Sequence, residues 1–409
     1  MNSPRHYLTA IRALGRERIW LLGVLTAGHF VIHWFQQFYP VILPAIKSGL
    51  NLTNVEVGAL TSAQQVVVGL GQLPFGMVAD AMVRHRGGIL ALSLVSMGAA
   101  YFLLAMPAFI WALLGSALIG LGTAMWHPTA AASLSNRFPE QRATALSING
   151  TGATLSDTIT PLLVGVLLAN FSWQTATQVQ LLPGLLFAFV LWRALAGVFS
   201  DGAAPRQRVS AQFRDVAAVI KNTAFLGLAV ATGLLSMSRL IILTFLPIYL
   251  QEDLHYSSVS LGIYIALLHV MGTISQPVLG VLSDRFGRKA VLLPSCLLLG
   301  LFFALLAVAP PGIPLGLVIV AIGLFFYTLF NIFNAAVMDV AGSNVQAATY
   351  GLTSLITQLV VIPAPMITGY LIGGLGIKFA FVLAGIFLLI AGLVLAPLQL
   401  YRGTQNLIR

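Results

Sequence analysis

The sequence predicts an all-α integral membrane protein with twelve transmembrane helices in two pseudo-symmetric six-helix halves. Three observations carry this. Of 409 residues, 58% are hydrophobic and 8% charged, and mean hydropathy is +0.93. A soluble domain carries roughly 25% charged residues, so a chain this apolar belongs in a bilayer. Twelve apolar runs reach the roughly 20 residues needed to cross the hydrocarbon core. A short motif also recurs half a chain apart, as parallel repeats require.

The spans follow in order. Span 1 covers 19–44, after Arg5, Arg12, Arg16 and Arg18, and runs on through Gln36, Tyr39 and Pro40 without the small-residue pattern of a cleaved leader. Span 2, 56–79, closes on Gly76-Met77-Val78-Ala79-Asp80. Spans 3 and 4 are 88–107 and 109–134, the latter containing Trp126-His127-Pro128. Span 5, 142–169, is rich in Gly, Ser and Thr and contains Asp157. Span 6, 174–197, ends the first half. The polar stretch 198–222 reads as a linker, too short for a soluble domain. Span 7, 223–250, contains Arg239, and span 8, 258–281, contains His269. Span 9 is 289–309. Span 10, 313–338, contains Asn331 and Asn334. Spans 11 and 12 are 346–373 and 377–400. That leaves an N-terminal segment 1–18, halves 19–197 and 223–400, and a tail 401–409. Prolines such as Pro40, Pro161, Pro247 and Pro363 are tolerated where neighbouring helices satisfy the freed carbonyls, and suit hinges.

Charge sets orientation. The net charge of +10 comes from 21 Lys and Arg against 11 Asp and Glu. Those charges are too sparse for a nucleic-acid face. With the N-terminus inside, Lys47 and Lys378 face outward, Arg239 lies in a span, and the remaining basic residues fall in cytoplasmic segments, as the positive-inside rule demands. Both termini are therefore expected in the cytoplasm of a multi-pass inner (plasma) membrane protein. A single Cys excludes a disulfide framework, a thiolate cluster and a Cys-based redox site. No GxxxxGK[ST] pattern occurs, which argues against an ATP-driven pump, and no soluble domain or catalytic constellation suggests an enzyme.

The repeat pairs Gly76…Asp80 with Gly280-Val281-Leu282-Ser283-Asp284. The second copy continues Arg285-Phe286-Gly287-Arg288-Lys289, and the first keeps Arg84, Arg86 and Gly87 at altered spacing. This resembles the major facilitator superfamily, whose signature is G-x-x-x-D-R-x-G-R-[RK] after spans 2 and 8. The resemblance implies alternating access, with spans 1, 4, 7 and 10 lining a central cavity and spans 3, 6, 9 and 12 facing lipid. It also implies that Gly76, Asp80, Arg84, Arg86, Gly280, Asp284, Arg285, Gly287 and Arg288 act as a conformational latch on the cytoplasmic side. In physical terms, small Gly permits close helix approach and the carboxylate sits near basic residues and a helix N-terminus; the bland alternative is that the basic residues only set topology. A narrower resemblance, to the fosmidomycin-resistance type of drug exporter, rests on His29, His33, Trp126-His127-Pro128 and Gly150-Thr151-Gly152 through Pro161. It implies drug–proton antiport.

Ionisable groups in the bilayer centre are costly and mark function by default. Here they are His29, His33, His127, Asp157, Arg239 and His269. His29 and His33, four apart, share a helix face extended by Gln36 and Gln37. That pair fits a proton relay or substrate contact, a zinc pair, or plain interhelical hydrogen bonding. No metal is expected, because no third ligand sits at a telling spacing. Asp157 reads as a protonatable switch, as an ion pair with Arg239, or as both in turn. Arg239 needs an anionic partner, either Asp157 or substrate, and is the anchor for a phosphonate or carboxylate. His127 precedes Pro128, where the helix can kink, and Trp126 offers a stacking surface or simple packing. Proton coupling is thus assigned to Asp157, His29, His33 and His127. Substrate binding is assigned to Arg239, Trp126, His127, Gln36, His269, Asn331 and Asn334.

The expected function is secondary active efflux of a small amphipathic or anionic compound in exchange for protons. The protein is expected to act as a monomer in the lipid bilayer, with the proton gradient as energy source and no cofactor. The rivals are a proton-coupled uptake symporter of an organic anion and a non-transporting membrane sensor or scaffold.

Overall fold

A computed structural model describes residues 15–199, 222–341 and 346–400. The segment 1–14, most of the linker (200–221) and the tail 401–409 lie outside the described residues, so the expectations made for them do too. Described residues outside the turns are helical, in twelve rods: α1 Arg16–Gly49, α2 Asn54–Ala81, α3 Arg86–Leu104, α4 Phe109–Arg137, α5 Arg142–Asn170, α6 (Trp173–Gln178 and Leu181–Ala194), α7 Thr223–Ile248, α8 Ser258–Phe286, α9 Arg288–Leu306, α10 (Ile313–Phe326 and Thr328–Ala341), α11 (Gln346–Val361 and Ala364–Leu375) and α12 Lys378–Leu395. Each overlaps one expected span.

Eleven segments are long and apolar enough to cross a membrane among the described residues, against twelve expected. The exception is α2. At 28 residues it is about 42 Å long, ample for a crossing, but Glu56, Gln64, Gln65, Gln72 and Asp80 dilute its apolar character. Three of the expected spans are interrupted. α6 breaks at Val179–Gln180, α10 at Tyr327, and α11 just before its second part, whose first turn carries Pro365, a position that needs no amide donor. α7 ends in a π-helical turn, Tyr249–Asp253.

Local chemistry sets the helix starts. Thr53 and Glu56 form a reciprocal capping box on α2, with Glu56 N donating to Thr53 Oγ1 at 3.2 Å and Thr53 N donating to the Glu56 carboxylate at 2.8 Å. Ser257 caps α8 and Asn222 caps α7. Gly287, between α8 and α9, has φ 96°, a backbone conformation that side chains with a Cβ rarely adopt.

Helices α1–α6 pack chiefly on one another (α2 on α4, α3 on α4 and α6, α1 on α5), as do α7–α12 (α7 and α9 on α12, α8 on α10). The two groups meet along α5–α8 and α2–α11, and more lightly along α1–α7. Leu92 and Phe102 on α3, Leu186 and Phe189 on α6, Leu298 and Leu301 on α9 and Leu389 and Leu393 on α12 are exposed. Such apolar faces need lipid against them rather than water.

Among the described residues, the groups are joined tightly at one end. There a Cβ on Gly58 of α2 would lie 2.3 Å from the Pro365 carbonyl oxygen, and one on Gly369 of α11 2.1 Å from that of Asn54. On the other seam, Gly262 of α8 sits against the Pro161 carbonyl and Gly165 of α5 against that of Ser258. Lys47 of α1 bonds Glu252 across the same end. Further along, Ser354 Oγ of α11 donates to Gln72 Oε1 of α2 at 3.2 Å. At the opposite end, where Asp80 and Asp284 lie, the close glycine approach expected is not seen: Gly76 makes only ordinary contact with Pro128, and Gly280 faces open space. Among the described residues, the glycine contacts and the ion pair between the groups gather at the Lys47 end, here called sealed, and none joins them at the Asp80 end, here called parted. The small-residue packing lies with the seal.

Candidate functional site

The polar groups on α1, α4 and α5 converge. His29 and His33, one turn apart on α1, have ring centroids 4.8 Å apart, and the His127 ring of α4 lies 5.7 and 5.8 Å from them. Asp157 of α5 is 8% exposed and anchors the group: its Oδ1 accepts from His33 Nδ1 at 2.7 Å and from Gln37 Nε2 at 3.0 Å. His29 Nδ1 meets the Asn149 carbonyl at 3.0 Å, and His127 Nδ1 meets the Thr123 carbonyl of its own helix at 3.0 Å. Carbonyls only accept, so His29 and His127 carry hydrogen on Nδ1, and His33 does the same while Asp157 is ionised, which leaves Nε2 free on all three. Gln36 donates to Thr123 Oγ1 at 3.0 Å, fastening α1 to α4. The i, i+4 spacing foretold the α1 pair, and the fold supplies what spacing could not, a third histidine and a shared carboxylate.

The second cluster is on α7, α8 and α10. Arg239 of α7 stacks its guanidinium over Tyr327, Phe326 and Phe330, at 4.6, 4.9 and 5.5 Å from the ring centroids. Among the described residues no carboxylate lies within 4 Å of it, and its buried Nε has no partner. The Arg239–Asp157 ion pair weighed from the sequence is therefore not the arrangement found: Asp157 takes His33, and Arg239 takes aromatic faces, which stabilise a cation without neutralising it. His269 of α8 is buried, with Nε2 3.3 Å from Tyr327 Oη and no partner for Nδ1. Tyr327 stands at the α10 break, and sequence reasoning missed it because nothing in an apolar aromatic run marks where a helix will break.

Between α2, α7, α10 and α11 lies a cavity of about 280 Å³ lined by Arg239, Gln65, Gln72, Ser236, Asn334, Gln358 and neighbouring residues. Its wall offers amides, hydroxyls and a single cation, so it can hold an anion with several hydrogen-bond acceptors. Asn334 faces it, whereas Asn331 is exposed and absent from the lining. Trp126 is wholly buried, its ring edge against Gly28, where a Cβ would sit 2.2 Å away. Its face is stacked on the His29 ring, 6.5 Å between centroids, so it packs α4 on α1 and leaves no free stacking surface for substrate here, and its Nε1 is unpartnered.

The residues of the repeated motif form two clusters at the parted end. Asp80 accepts from Arg86 at 3.4 Å, and Arg86 Nε also donates to the Ala79 carbonyl at 2.8 Å. With the Asn136 amide turned to present its oxygen, Arg86 reaches it at 3.1 Å, joining the end of α2 to the end of α4. Asp284 accepts from Arg288 at 2.5 Å, and Arg288 Nε reaches Asp339 of α10 at 2.8 Å. Both clusters tie an even-numbered helix to a neighbour within its own group. Arg84 and Arg285 are exposed and stand outside these pairs, Arg285 lying over Phe286. Asp339, the second carboxylate, follows a purely apolar run and carries no motif signal.

Comparison with known proteins agrees with this architecture. The chain is 24% identical over 397 residues to the hexuronate transporter of Bacillus subtilis (strain 168), covering 90% of each chain. It is 25% identical over 388 residues to a probable sulfoacetate transporter of Cupriavidus necator, covering 87% of this chain and 88% of that one. Among solved structures, a bacterial homologue of the human lysosomal transporter Spinster, in an inward-facing and unoccupied conformation, superposes with a TM-score of 0.76 at 18% identity, over 93% of this chain and 96% of the other. The nucleoside transporter NupG superposes with a TM-score of 0.74 at 15% identity, over 92% of this chain and 98% of the other. The model of the Major Facilitator Superfamily matches residues 25–365. The twelve helical rods, the parted and sealed ends and this match agree: the chain is a membrane transporter of the Major Facilitator Superfamily.

Proposed function

We propose that the protein moves a small organic anion together with protons, by alternating access. The observation that carries this is Arg239: a half-buried guanidinium with a buried, unpartnered Nε and no acidic partner among the described residues, bordering a polar cavity. A charge is kept in so costly a place when an anion visits it. Guanidinium suits carboxylates and sulfonates because its planar fork donates two parallel hydrogen bonds. The relatives named for hexuronate and sulfoacetate support anionic cargo of this kind.

Proton coupling is assigned to Asp157, with His33 as its immediate partner and His29 and His127 beside them. Ionised, the carboxylate holds His33 and Gln37. A proton on it removes the charge and weakens both bonds, which frees α5 to shift against α1. The acid and Arg239 occupy separate seats, so proton and anion can be carried at once. That favours symport over the efflux by exchange expected from the sequence. Orientation follows from the basic residues. The parted end is cytoplasmic, the Lys47 end is outside, and the conformation described is inward-facing. The Asp80–Arg86 and Asp284–Arg288–Asp339 clusters are then the cytoplasmic latch parts, disengaged between the halves.

The test is reconstitution into vesicles with an internal pH indicator, followed by a panel of sugar acids and small sulfonates. Protons entering with an anion support the proposal. Protons leaving as it enters establish exchange. No proton movement and no uptake across the panel would return the chain to a sensor or scaffold role.

A further inference from the structure

We propose that His29, His33 and His127 form a binding site for a divalent transition metal ion of the zinc class. One ligand nitrogen from each of the three lies within 4.8 Å of the others. With the three Nδ1 atoms engaged in hydrogen bonds, Nε2 is the nitrogen each ring would turn to an ion. A three-histidine set with an open fourth position is a geometry zinc adopts, with N–Zn bonds of about 2.0–2.1 Å. A tetrahedral ion needs its ligand nitrogens about 3.3 Å apart, so side-chain shifts of about 1 Å would close the site.

The surroundings are those of a metal centre. Histidine ligands characteristically donate their other N–H to a carboxylate or backbone carbonyl, which fixes the tautomer and raises the basicity of the ligating nitrogen. Asp157 does this for His33, the Asn149 carbonyl for His29 and the Thr123 carbonyl for His127. Gln37, donating to the same oxygen of Asp157, fixes the carboxylate. Imidazole nitrogens select zinc, copper or nickel over magnesium and calcium. All three histidines are only partly buried, which leaves an ion a route to them. The fourth position would hold water or an anionic oxygen.

The site does not depend on the transport proposal, and its test reads binding alone. Tag-free purified protein would be titrated with Zn²⁺ in competition with a chromogenic chelator, and with Co²⁺ as a spectroscopic probe. The expected result is one Zn²⁺ per chain and the absorption bands of tetrahedral Co²⁺. His127→Ala should weaken Zn²⁺ binding at least 100-fold and abolish those bands. Asp157→Asn, which leaves the three ligands in place, should weaken it 10- to 100-fold. His85→Ala, on the exposed turn between α2 and α3, should change nothing. His29→Gln repeats the test should His127→Ala not fold. Absence of stoichiometric Zn²⁺ binding, or binding untouched by both ligand substitutions, would overturn the site while leaving the transport assay to stand or fall separately.

Discussion

Replacing Gly58 by alanine should wedge open the sealed end. Its Cβ would lie 2.3 Å from the Pro365 carbonyl oxygen and 2.6 Å from the carbonyl carbon, where ordinary contact begins at 3.4 Å. The obstacle is backbone on both sides, so α2 and α11 must separate by about 1 Å instead of a side chain swinging away. Forcing one methyl group into close packing costs about 1–3 kcal/mol. The cost is paid only while this end is closed, so the closed-to-open ratio should fall by about 5- to 150-fold. Spin labels on cysteines placed at Ser48 and Leu375, both exposed at this end, would read the separation of α1 and α11, with buried Cys296 silent. Gly58→Ala should add a longer-distance population, and Gly369→Ala, reciprocal across the same seam, should do likewise. An unchanged distance distribution in folded protein would refute the claim that these glycines hold the seal.

Four further outcomes are expected. Arg239→Lys should lower anion affinity by about tenfold or more in equilibrium binding, because an ammonium lacks the bidentate fork and stacks less well on Tyr327. Single removal of Lys47 or Glu252 should destabilise the sealed state by about 1.5–3 kcal/mol, and a double-mutant cycle read with the same spin labels should show that the two effects are not additive. Trp126→Ala should lower unfolding stability by about 3–5 kcal/mol. Trp126→Phe should leave substrate affinity unchanged in transport assays, because the ring is wholly buried against Gly28.

Sequence reading located the helices well because hydropathy and span length are local properties. Spans 4 and 5, for example, were expected at 109–134 and 142–169 and occur as Phe109–Arg137 and Arg142–Asn170. It did not foresee the breaks at Tyr327 and before Ala364, since an apolar window registers composition and not backbone continuity. The pairing of His29 with His33 was legible because both lie on one helix, at a spacing that fixes their common face. His127 joining them, Asp157 choosing His33 over Arg239, and Asp339 completing the Arg288 cluster all depend on how separate helices dock, and nothing in a single sequence encodes that directly. The motif glycines were read as close-approach points, whereas in this conformation the close approaches between the two groups belong to Gly58, Gly165, Gly262 and Gly369. A conformational cycle has two sealed ends, and one structure reveals one of them.

The central claim is that Asp157 couples a proton to the movement of an anion seated at Arg239. Its most direct test compares two assays on Asp157→Asn in proteoliposomes loaded with an anion the wild type transports: accumulation driven by a pH gradient, and exchange of labelled for unlabelled anion without one. The account predicts that accumulation is lost while exchange persists, because the amide keeps the helices able to move but cannot take up and release a proton. Accumulation in that variant at the wild-type level, with the same dependence on the gradient, would contradict it.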